Sequence, residues 1–332
     1  MTARPLLGRI VVGGLVLVLG WFAVADARGS GDGAQARTSL TVIAPAAAGG
    51  GWDLVAREVQ LATRTDSIVG NVQVVNAPGA AGTIGLSQLA RRAGDATTLM
   101  ITGTVMVGGV SMSDASTTLQ DVTPIARLAE DFEVLAVPAD SEWQTLDDFV
   151  QAWQADPGLP IGGGSAGGID HMVAAQLARE VGVEPEQLQY APYAGGGELT
   201  LSLLSDASGT VDIGISGYND FRDLIDGGRL RALAVVAPER LDGVDAPTIA
   251  EEGYPEVDLV NWRGVVAPPG ITDDERDELL AIVEEMRATD SWAEAVSRNR
   301  WEESWLGPQE FEEFLVSEQE RIDALLSELG LT

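Results

Sequence analysis

The residues with the clearest chemical meaning are four glycine-rich loops, each directly before a predicted helix. They read AAAGGGWD, NAPGAAGTIG, IGGGSAGGIDH and YAPYAGGGE. Glycines at a helix start leave the first backbone N–H groups uncovered at the positive end of the helix dipole. Such groups can hold an anion. The four loops together therefore predict a concave anion site that is built from backbone donors.

One of these loops also contains a pattern that is typical of serine hydrolases. Ser165 lies in G-x-S-x-G, the sequence around the nucleophile of α/β hydrolases. That serine needs a histidine that follows an intervening acid in the chain and lies beside it in the fold. His171 is the only histidine, and it follows within the same loop and helix. A hydrolase that uses Ser165 is therefore the weaker alternative.

Other chemistries lack the residues that they need. Without cysteine there is no thiolate metal site, disulfide or cysteine nucleophile. Without lysine there is no phosphate-binding P-loop, and the glycine spacing does not match the dinucleotide fingerprint. The acidic run at residues 273–275 opens a helix, where acids complement the dipole. We expect no catalytic residue, no metal and no cofactor.

Charge and the first residues indicate where the protein works. The net charge of −31 disfavours nucleic acid and anionic lipid as partners. Arg4 and Arg9 precede an apolar run over residues 10–24 and small residues at 25–27, which predicts a signal peptide over 1–27. An uncleaved N-terminal anchor is the alternative. Residues 28–39 are expected to form a flexible leader, and the protein is expected to be extracytoplasmic.

Apolar runs alternate with helical patterns through the first hundred residues. Strands are predicted at 40–44, 72–75 and 98–102, and helices at 52–63 and 84–92. This order predicts an α/β fold with a mostly parallel sheet. Because ligands bind such sheets at the carboxyl ends of the strands, the glycine loops lie at the expected site.

Seven segments in order carry a family resemblance from about residue 40 to the end. They are GGGWDLVAR, VVNAPGAAGTIGLSQLA, GGSAGGIDH, PYAGGGELTLSLL, DIGISGYNDFRDLIDGGRLRALAV, APTIAEEGYP and NWRGVVAPPGI. The chain resembles the periplasmic solute receptors of tripartite tricarboxylate transporters, also called the Bug family, of which TctC is a member. The variants GGGWD, GGIDH and NWRG are most similar to the branch associated with citrate-like tricarboxylates.

The resemblance implies a type II periplasmic-binding-protein fold, with two α/β lobes joined by hinge strands around a ligand cleft. Lobe 1 would span residues 40–136 and be completed by 264–332, and lobe 2 would span 137–263. The segments 131–140 and 260–269 would cross between the lobes.

The resemblance also implies which residues bind the ligand. Backbone donors, hydroxyls and the amide of Asn76 would hold carboxylates, with Asp53 and Glu198 capping their own helices. His171 and Arg263 could be structural or could face the cleft, where Arg263 would bind a third carboxylate. The expected substrate-binding residues are Gly49, Gly50, Gly51, Trp52, Asp53, Asn76, Gly79, Gly82, Thr102, Thr104, Ser165, Gly167, Gly168, His171, Gly195, Gly196, Gly197, Ser216 and Arg263.

The expected function is capture of a small carboxylate, with a tricarboxylate such as citrate favoured, and delivery to the membrane subunits of a tripartite tricarboxylate transporter. Lobe closure would trap the ligand without any catalytic step. A ligand sensor with the same fold, feeding a signalling partner, is the second alternative.

Overall fold

A computed structural model describes residues 33–113, 115–184, 187–205 and 210–331. The predicted signal peptide and residues 28–32 of the predicted leader lie outside the described residues. The strands are β1 Ser39–Ala44, β2 Asn71–Asn76, β3 Thr98–Gly103, β4 Thr123–Asp131, β5 Glu133–Pro138, β6 Ile161–Gly163, β7 Tyr190–Pro192, β8 Ile213–Gly217, β9 Leu230–Val236, β10 Asn261–Ala267 and β11 Glu302–Leu306. The helices are α1 Gly33–Thr38, α2 Gly51–Thr65, α3 Thr83–Ala90, α4 Thr104–Met112, α5 Leu146–Ala155, α6 Ile169–Glu180, α7 Gly196–Leu203, α8 Tyr218–Asp226, α9 Asp273–Arg287, α10 Asp290–Arg298 and α11 Pro308–Glu328.

The described strands form two separate mixed sheets, as expected for an α/β fold with two lobes. The first sheet has the order β11-β4-β10-β3-β1-β2, and the second has the order β7-β6-β8-β5-β9. We call each sheet with the helices packed on it a lobe. Strand β1 runs parallel to β2 and β3, and β6 runs parallel to β7 and β8. Helices follow the carboxyl ends of these parallel strands, so the glycine loops lie at one edge of each sheet.

The chain crosses between the sheets through strands that lie inside the sheets. β4 ends the first sheet at Asp131, and after Phe132 the chain enters the second sheet at Glu133. Strand β5 is inserted antiparallel between β8 and β9, and the returning β10 is inserted antiparallel between β3 and β4. The expected lobe 1 ended at residue 136, whereas the strand from Glu133 already belongs to the second sheet. The sheet changes earlier because the backbone of Glu133 is already paired with β8 at Gly217 and with β9 at Val236.

Apolar strands and amphipathic helices account for the core. Strand β3 is buried at every position, and the side chains of Trp153, Trp262 and Trp292 are fully buried. Burial of such aromatic side chains is a main source of folding free energy. The helices α9, α10 and α11 and strand β11 all lie within residues 264–332, the segment expected to complete the first lobe.

The expectation of a flexible leader through residue 39 is wrong for its last part. Helix α1 forms there, and Ser39 begins β1. Arg37 forms ion pairs with Glu278 and Glu285 of α9, and Ala36 is buried. The small polar composition suggested a flexible segment, but contacts with a helix distant in sequence order it. Among the described residues, none of the helices is long and apolar enough to cross a membrane.

Candidate functional site

A cavity of about 1020 Å³ lies between the two lobes, lined by residues of both. Five of the described helices begin at its wall, namely α2, α3, α6, α7 and α8. Their N-cap residues are Gly50, Gly82, Gly168, Gly195 and Gly217, which all line the cavity and provide no side-chain cap. First-turn N–H groups of these helices are therefore not covered by an N-cap side chain.

Three of the helices that begin elsewhere in the described chain have a threonine N-cap instead. The N-caps of α5, α9 and α10 are Thr145, Thr272 and Thr289, and each hydroxyl accepts a first-turn backbone N–H. Helices α4 and α11 also follow glycines, Gly103 and Gly307, but neither glycine lines the cavity. The five helices that begin at the cavity thus all have glycine N-caps, and their uncovered backbone N–H groups could bind an anion there.

Asp53 holds the first glycine loop in place. Its Oδ2 accepts hydrogen bonds from the Gly49 N–H and from Arg57 Nε, both at 2.8 Å. Its Oδ1 accepts from Asn76 Nδ2 at 2.8 Å, and the same amide donates to Ala46 O at 3.1 Å. Burial raises the pKa of Asp53, but these hydrogen bonds outweigh burial and hold the pKa below its usual range. Asp53 therefore points back at the backbone of its own loop, as expected, but its bond to the Gly49 N–H lies before the helix N-cap Gly50.

Trp52 fixes the position of the second loop against the first. A Cβ on Gly82 would lie 2.7 Å from the Trp52 ring, and Gly82 has a φ of +91°. Only glycine fits a position with both a left-handed backbone and a ring in direct contact. The two loops of the first lobe therefore form one packed wall of the cavity.

Acidic residues in the first helical turns of the second lobe also bond to nearby loop groups. Asp170 Oδ2 accepts the Gly164 N–H at 2.6 Å, and Asp220 Oδ2 accepts the Ser216 hydroxyl at 2.7 Å. Glu198 Oε2 accepts the Ala194 N–H at 3.2 Å, so it points back at its own loop as expected, although the bond lies before the helix N-cap Gly195. These acids partly offset the positive ends of the helix dipoles.

Arg263 lines the cavity and is paired with an acid. Its Nη2 donates to Asp131 Oδ2 at 3.0 Å, and both side chains are buried. Its Nε is buried without a hydrogen-bond partner among the described residues. Burial raises the pKa of Asp131, and Arg263 partly opposes this shift. The side chain faces the cleft, but Asp131 already offsets its charge.

Glu133 and Asn261 lie beside this pair at the crossing between the lobes. Asn261 Nδ2 donates to Glu133 Oε1 at 2.7 Å, and both residues are buried and line the cavity. Burial raises the pKa of Glu133 well above its usual value, and the negative charges of Asp170 and Asp131 raise it further. This floor of the cavity is therefore acidic, whereas the loops above it present glycine.

His171 is not arranged to activate Ser165. Its Nδ1 accepts the Gly167 N–H at 3.0 Å, so the proton of the neutral imidazole is on Nε2 and the one free lone pair of the ring is already used by a backbone donor. Burial lowers the pKa of His171 to about 4. The ring stacks on Tyr190 at a centroid distance of 4.2 Å. His171 therefore has a packing role behind the third loop.

The structure brings thirteen of the nineteen expected site residues to the cavity wall. They are Gly49, Gly50, Gly51, Trp52, Asp53, Gly79, Gly82, Ser165, Gly168, Gly195, Gly196, Ser216 and Arg263. Direct contact of these residues with a ligand stays a prediction.

The other six lie away from the wall. Two hydroxyls are committed elsewhere: Thr102 Oγ1 lies 3.4 Å from Met106 Sδ, and Thr104 Oγ1 donates to Val260 O at 2.9 Å. These two are buried beneath the wall because their strand end packs against β10. The six are Asn76, Thr102, Thr104, Gly167, His171 and Gly197.

The sequence analysis missed the polar residues that interrupt apolar strands at the crossing and follow the glycine loops. Their signal was present in DFEV, GGIDH, GYNDF and NWRG, where acids and amides stand next to buried strand residues. The cavity residues missed in this way are Asp131, Glu133, Asp170, Asn219, Asp220 and Asn261; Asn299, which follows α10, also lines the cavity and lies outside these segments.

The two lobes touch on both sides of the cavity. On one side Asn219 Nδ2 of α8 donates to Asn299 O of the first lobe at 2.8 Å. On the other side α4 meets the β6–α6 loop so closely that a Cβ on Gly108 would lie 2.3 Å from Gly167 O. Contacts between the two lobes therefore bound the cavity on these two sides.

Two α/β lobes with a polar cavity between helix N-termini define a solute-binding protein of the periplasmic-binding-protein class. The match to the family model described as the tripartite tricarboxylate transporter family receptor covers residues 55–331. The chain belongs to this family, whose members are receptors.

Curated relatives support this assignment over most of the chain. A protein from the tcbD–tcbE intergenic region of Pseudomonas sp. strain P51 is 29% identical over 302 residues, which cover 88% of this chain and 86% of the relative. Protein BugT of Bordetella pertussis is 30% identical over 237 residues, which cover 70% of this chain and 71% of BugT.

Solved structures share the fold. The periplasmic binding protein BugD superposes with a TM-score of 0.77 at 22% identity, covering 89% of this chain and 98% of BugD. MatC from Rhodopseudomonas palustris with bound malate has a TM-score of 0.75 at 22% identity, covering 87% and 99%. An R. palustris protein with adipate has a TM-score of 0.76 at 22% identity, covering 88% and 97%.

Proposed function

We propose that the protein captures a small carboxylate outside the cytoplasm and delivers it to a tripartite tricarboxylate membrane transporter. The observation that carries this proposal is the convergence of glycine-capped helix N-termini from both lobes on one cavity. Uncovered backbone donors at such positions bind anionic groups without needing a charged side chain. A small organic acid with acidic groups at both ends could contact the loops of the two lobes at once.

The class of ligand is supported by the relatives of known structure. One R. palustris structure contains malate and another contains adipate, and both ligands are small dicarboxylates. The sequence favoured a tricarboxylate such as citrate, with Arg263 binding a third carboxylate. Because Arg263 is bonded to Asp131, that argument is weaker than the argument for a carboxylate in general.

Capture is proposed to occur by closure of the lobes. A ligand that contacts both lobes stabilises the closed state, in which the lobes are in contact with each other. The contacts on the two sides of the cavity, at Gly108 with Gly167 and at Asn219 with Asn299, are the places where closure would be completed. The crossing segment near Phe132 is the proposed hinge, since few residues there connect the two sheets.

Export and delivery complete the proposal. The family is a receptor family of a membrane transport system, and BugD is a periplasmic binding protein. The apolar N-terminal run predicts export, which agrees with a receptor that works outside the cytoplasm. Binding without turnover is expected, since His171 is not placed to activate Ser165.

A thermal-shift screen tests the proposed ligand class. The panel contains citrate, malate, adipate, succinate and amino acids, with glucose and ethanolamine as compounds without a carboxylate. A ligand that binds only the folded protein at a hundred times its Kd stabilises it by about 2.7 kcal/mol, which gives a clear rise in Tm. We expect a rise with at least one carboxylate and none with glucose. No rise with any carboxylate would contradict the proposal.

A further inference from the structure

Four carboxyl groups line the floor of the cavity. We call Asp131, Glu133, Asp170 and Asp220 the carboxyl cluster; they come from β4, β5, α6 and α8 and all line the cavity. The first three are 5%, 1% and 8% exposed, so water screens them little. Arg263 supplies a positive charge beside them but bonds directly to Asp131. The buried cluster therefore has one positive side chain for four carboxyl groups, which is too few to pair each carboxylate.

Two buried acceptor atoms, Glu133 Oε2 in the cluster and Asn261 Oδ1 beside it, have no hydrogen-bond donor when the cluster is ionised. Asn261 Nδ2 donates to Glu133 Oε1, and this bond fixes the orientation of the Asn261 amide. The amide oxygen Oδ1 is then an acceptor that needs a donor of its own. Asn261 Oδ1 has no hydrogen-bond partner among the described residues, and Glu133 Oε2 has no donor while Glu133 and Asp170 are both ionised; a proton on either carboxyl lets these two side chains hydrogen-bond each other. Both side chains are more than nine-tenths buried and line the cavity. Buried acceptors are ordinarily paired, so these two atoms indicate a donor group on the ligand.

The protonation of the cluster agrees with this shortage of positive charge. Burial raises the pKa of Asp170 to about 6, and the charge of Asp220 adds to this effect, while the Gly164 N–H and Arg263 oppose it. Burial likewise raises the pKa of Glu133 and of Asp220. A cation that enters the cluster would take the place of these protons.

The kind of cation follows from the geometry. No three His, Cys, Asp or Glu side chains in the described part of the chain are grouped so that they could hold a metal ion. The unpaired atoms Glu133 Oε2 and Asn261 Oδ1 are hydrogen-bond acceptors, which favours a nitrogen that carries protons over a quaternary ammonium. A primary ammonium is the simplest group that meets both conditions.

We propose that the carboxyl cluster binds a protonated amine of the ligand, so that the captured solute is an amine-bearing carboxylate. This inference rests on the proposed function, because the carboxylate of the same ligand would be held by the glycine-capped helices. The ammonium would lie at the floor near Glu133, and the carboxylate would lie toward the loops at Gly50 and Gly195.

Isothermal titration with matched ligands tests the proposal. The first series is glutarate, glutamate and 4-aminobutanoate, and the second is succinate, aspartate and 3-aminopropanoate. Two further compounds are controls: 1,4-diaminobutane has amines but no carboxylate, and the trimethylated form of 4-aminobutanoate has a cation without N–H donors. We expect an amine-bearing acid to bind about ten-fold or more tightly than the amine-free acid of the same length. We also expect release of protons on binding, and weaker binding at pH 5 than at pH 7.5 because protons then compete with the amine.

Variants locate the effect in the cluster. Glu133→Gln should remove most of the preference for the amine, whereas Glu284→Gln, at an exposed position of α9, should keep it. Circular dichroism and Tm show whether each variant is folded. If Glu133→Gln does not fold, Asp220→Asn tests the same loss of preference, because its carboxylate also lines the cavity.

The outcomes separate this proposal from the proposed function. Equal or tighter binding of the amine-free acids, or proton uptake on binding, overturns the amine site while leaving carboxylate capture in place. Binding of 1,4-diaminobutane alone overturns carboxylate capture and supports the cation site. Equal binding of the trimethylated compound overturns the role of the unpaired acceptors, and no binding of any compound overturns both proposals.

Discussion

The acidic residues at the cavity have different roles. Asp53 collects three hydrogen bonds from Gly49, Arg57 and Asn76 and so shapes a loop, with its pKa held low by those donors. Asp170 accepts one backbone N–H, but burial, with a smaller contribution from the charge of Asp220, raises its pKa. Two aspartates in the first turns of similar helices thus differ because of their neighbours.

This difference gives a pH dependence of stability for Asp170. The groups that act on its titration are Glu133 of β5, through a hydrogen bond, and the charges of Asp220 of α8 and Arg263 of β10. Its pKa is about 6 in the folded protein and about 3.9 in an unfolded chain. The folded protein therefore binds the proton more tightly, so the contribution of Asp170 is fully present below about pH 4 and is lost as pH rises through about 6.

Asp170→Asn removes this titration while keeping an acceptor for the Gly164 N–H. Between pH 4.5 and pH 7 we expect wild type to lose about 2 kcal/mol of unfolding free energy relative to the variant. Urea unfolding of both proteins at both pH values measures this. His171 shifts in the opposite direction, with a folded pKa of about 4, but it is present in both proteins and cancels. A difference between the two proteins that is the same at both pH values would contradict the assignment.

The sequence revealed some site residues and not others for a physical reason. The glycine loops were predictable because uncovered N–H groups follow from local sequence alone, and Gly50, Gly168 and Gly195 indeed line the cavity. Glu133 could not be assigned, because its position in the cavity depends on which sheet receives β5 and on the register with β8. Thr102 was assigned to the ligand, although packing of its strand against β10 buries it.

At the scale of elements, the position of each helix start explains the site better than its glycine content. Glycine precedes α11 as well as α7, but only Gly195 lines the cavity. Strands and helices of the first hundred residues were predicted within a few residues of their observed ends, since their periodicity is strong. Helix α1 was missed because Arg37 is ordered by Glu278 and Glu285, which lie far away in sequence.

Closure of the lobes can be tested at the contact between α4 and the β6–α6 loop. A Cβ at Gly108 would lie 2.3 Å from Gly167 O, which is too close for the lobes to touch there. Within its own helix the same change is favourable by about 0.5–1 kcal/mol, because alanine is a better helix former. We therefore expect Gly108→Ala to keep or raise the Tm of the ligand-free protein and to weaken ligand binding about ten-fold or more.

Thermal unfolding and titration of the same preparation separate these two effects. Ligand affinity equal to that of wild type would show that the Gly108 contact does not form part of the bound state. A large fall in the Tm of the ligand-free protein would instead show that the contact is needed for folding.

The whole molecule carries a net charge of −31, far from neutral for its size. Like charges at this density repel one another across the surface and oppose the compact state. Added salt screens this repulsion, most steeply as the Debye length falls to about 10 Å near 0.1 M.

Salt is therefore expected to stabilise the protein. Between low ionic strength and 1 M sodium chloride we expect a rise in Tm, with most of the change at the lower concentrations. Sucrose at equal osmolality is the control for general exclusion effects. A Tm that does not change, or falls, with sodium chloride would show that the surface charges are already balanced locally by ion pairs.

The central claim is that glycine-capped helices of both lobes bind a carboxylate in one cavity, and a matched pair of variants tests it directly. Gly195 and Gly307 are both N-caps with extended backbone angles, and a Cβ at either would meet no atom within 4 Å. An aspartate at either position can cap its helix and is expected to change stability by only a few tenths of a kcal/mol. Only Gly195 lines the cavity.

The measurement is isothermal titration of wild type, Gly195→Asp and Gly307→Asp with the carboxylate that gives the largest thermal shift. We expect Gly195→Asp to bind at least about ten-fold more weakly, because its carboxylate would occupy the N–H groups and repel the ligand. Gly307→Asp should bind like wild type. Equal affinity of all three proteins would contradict the claim that these helix N-termini hold the ligand.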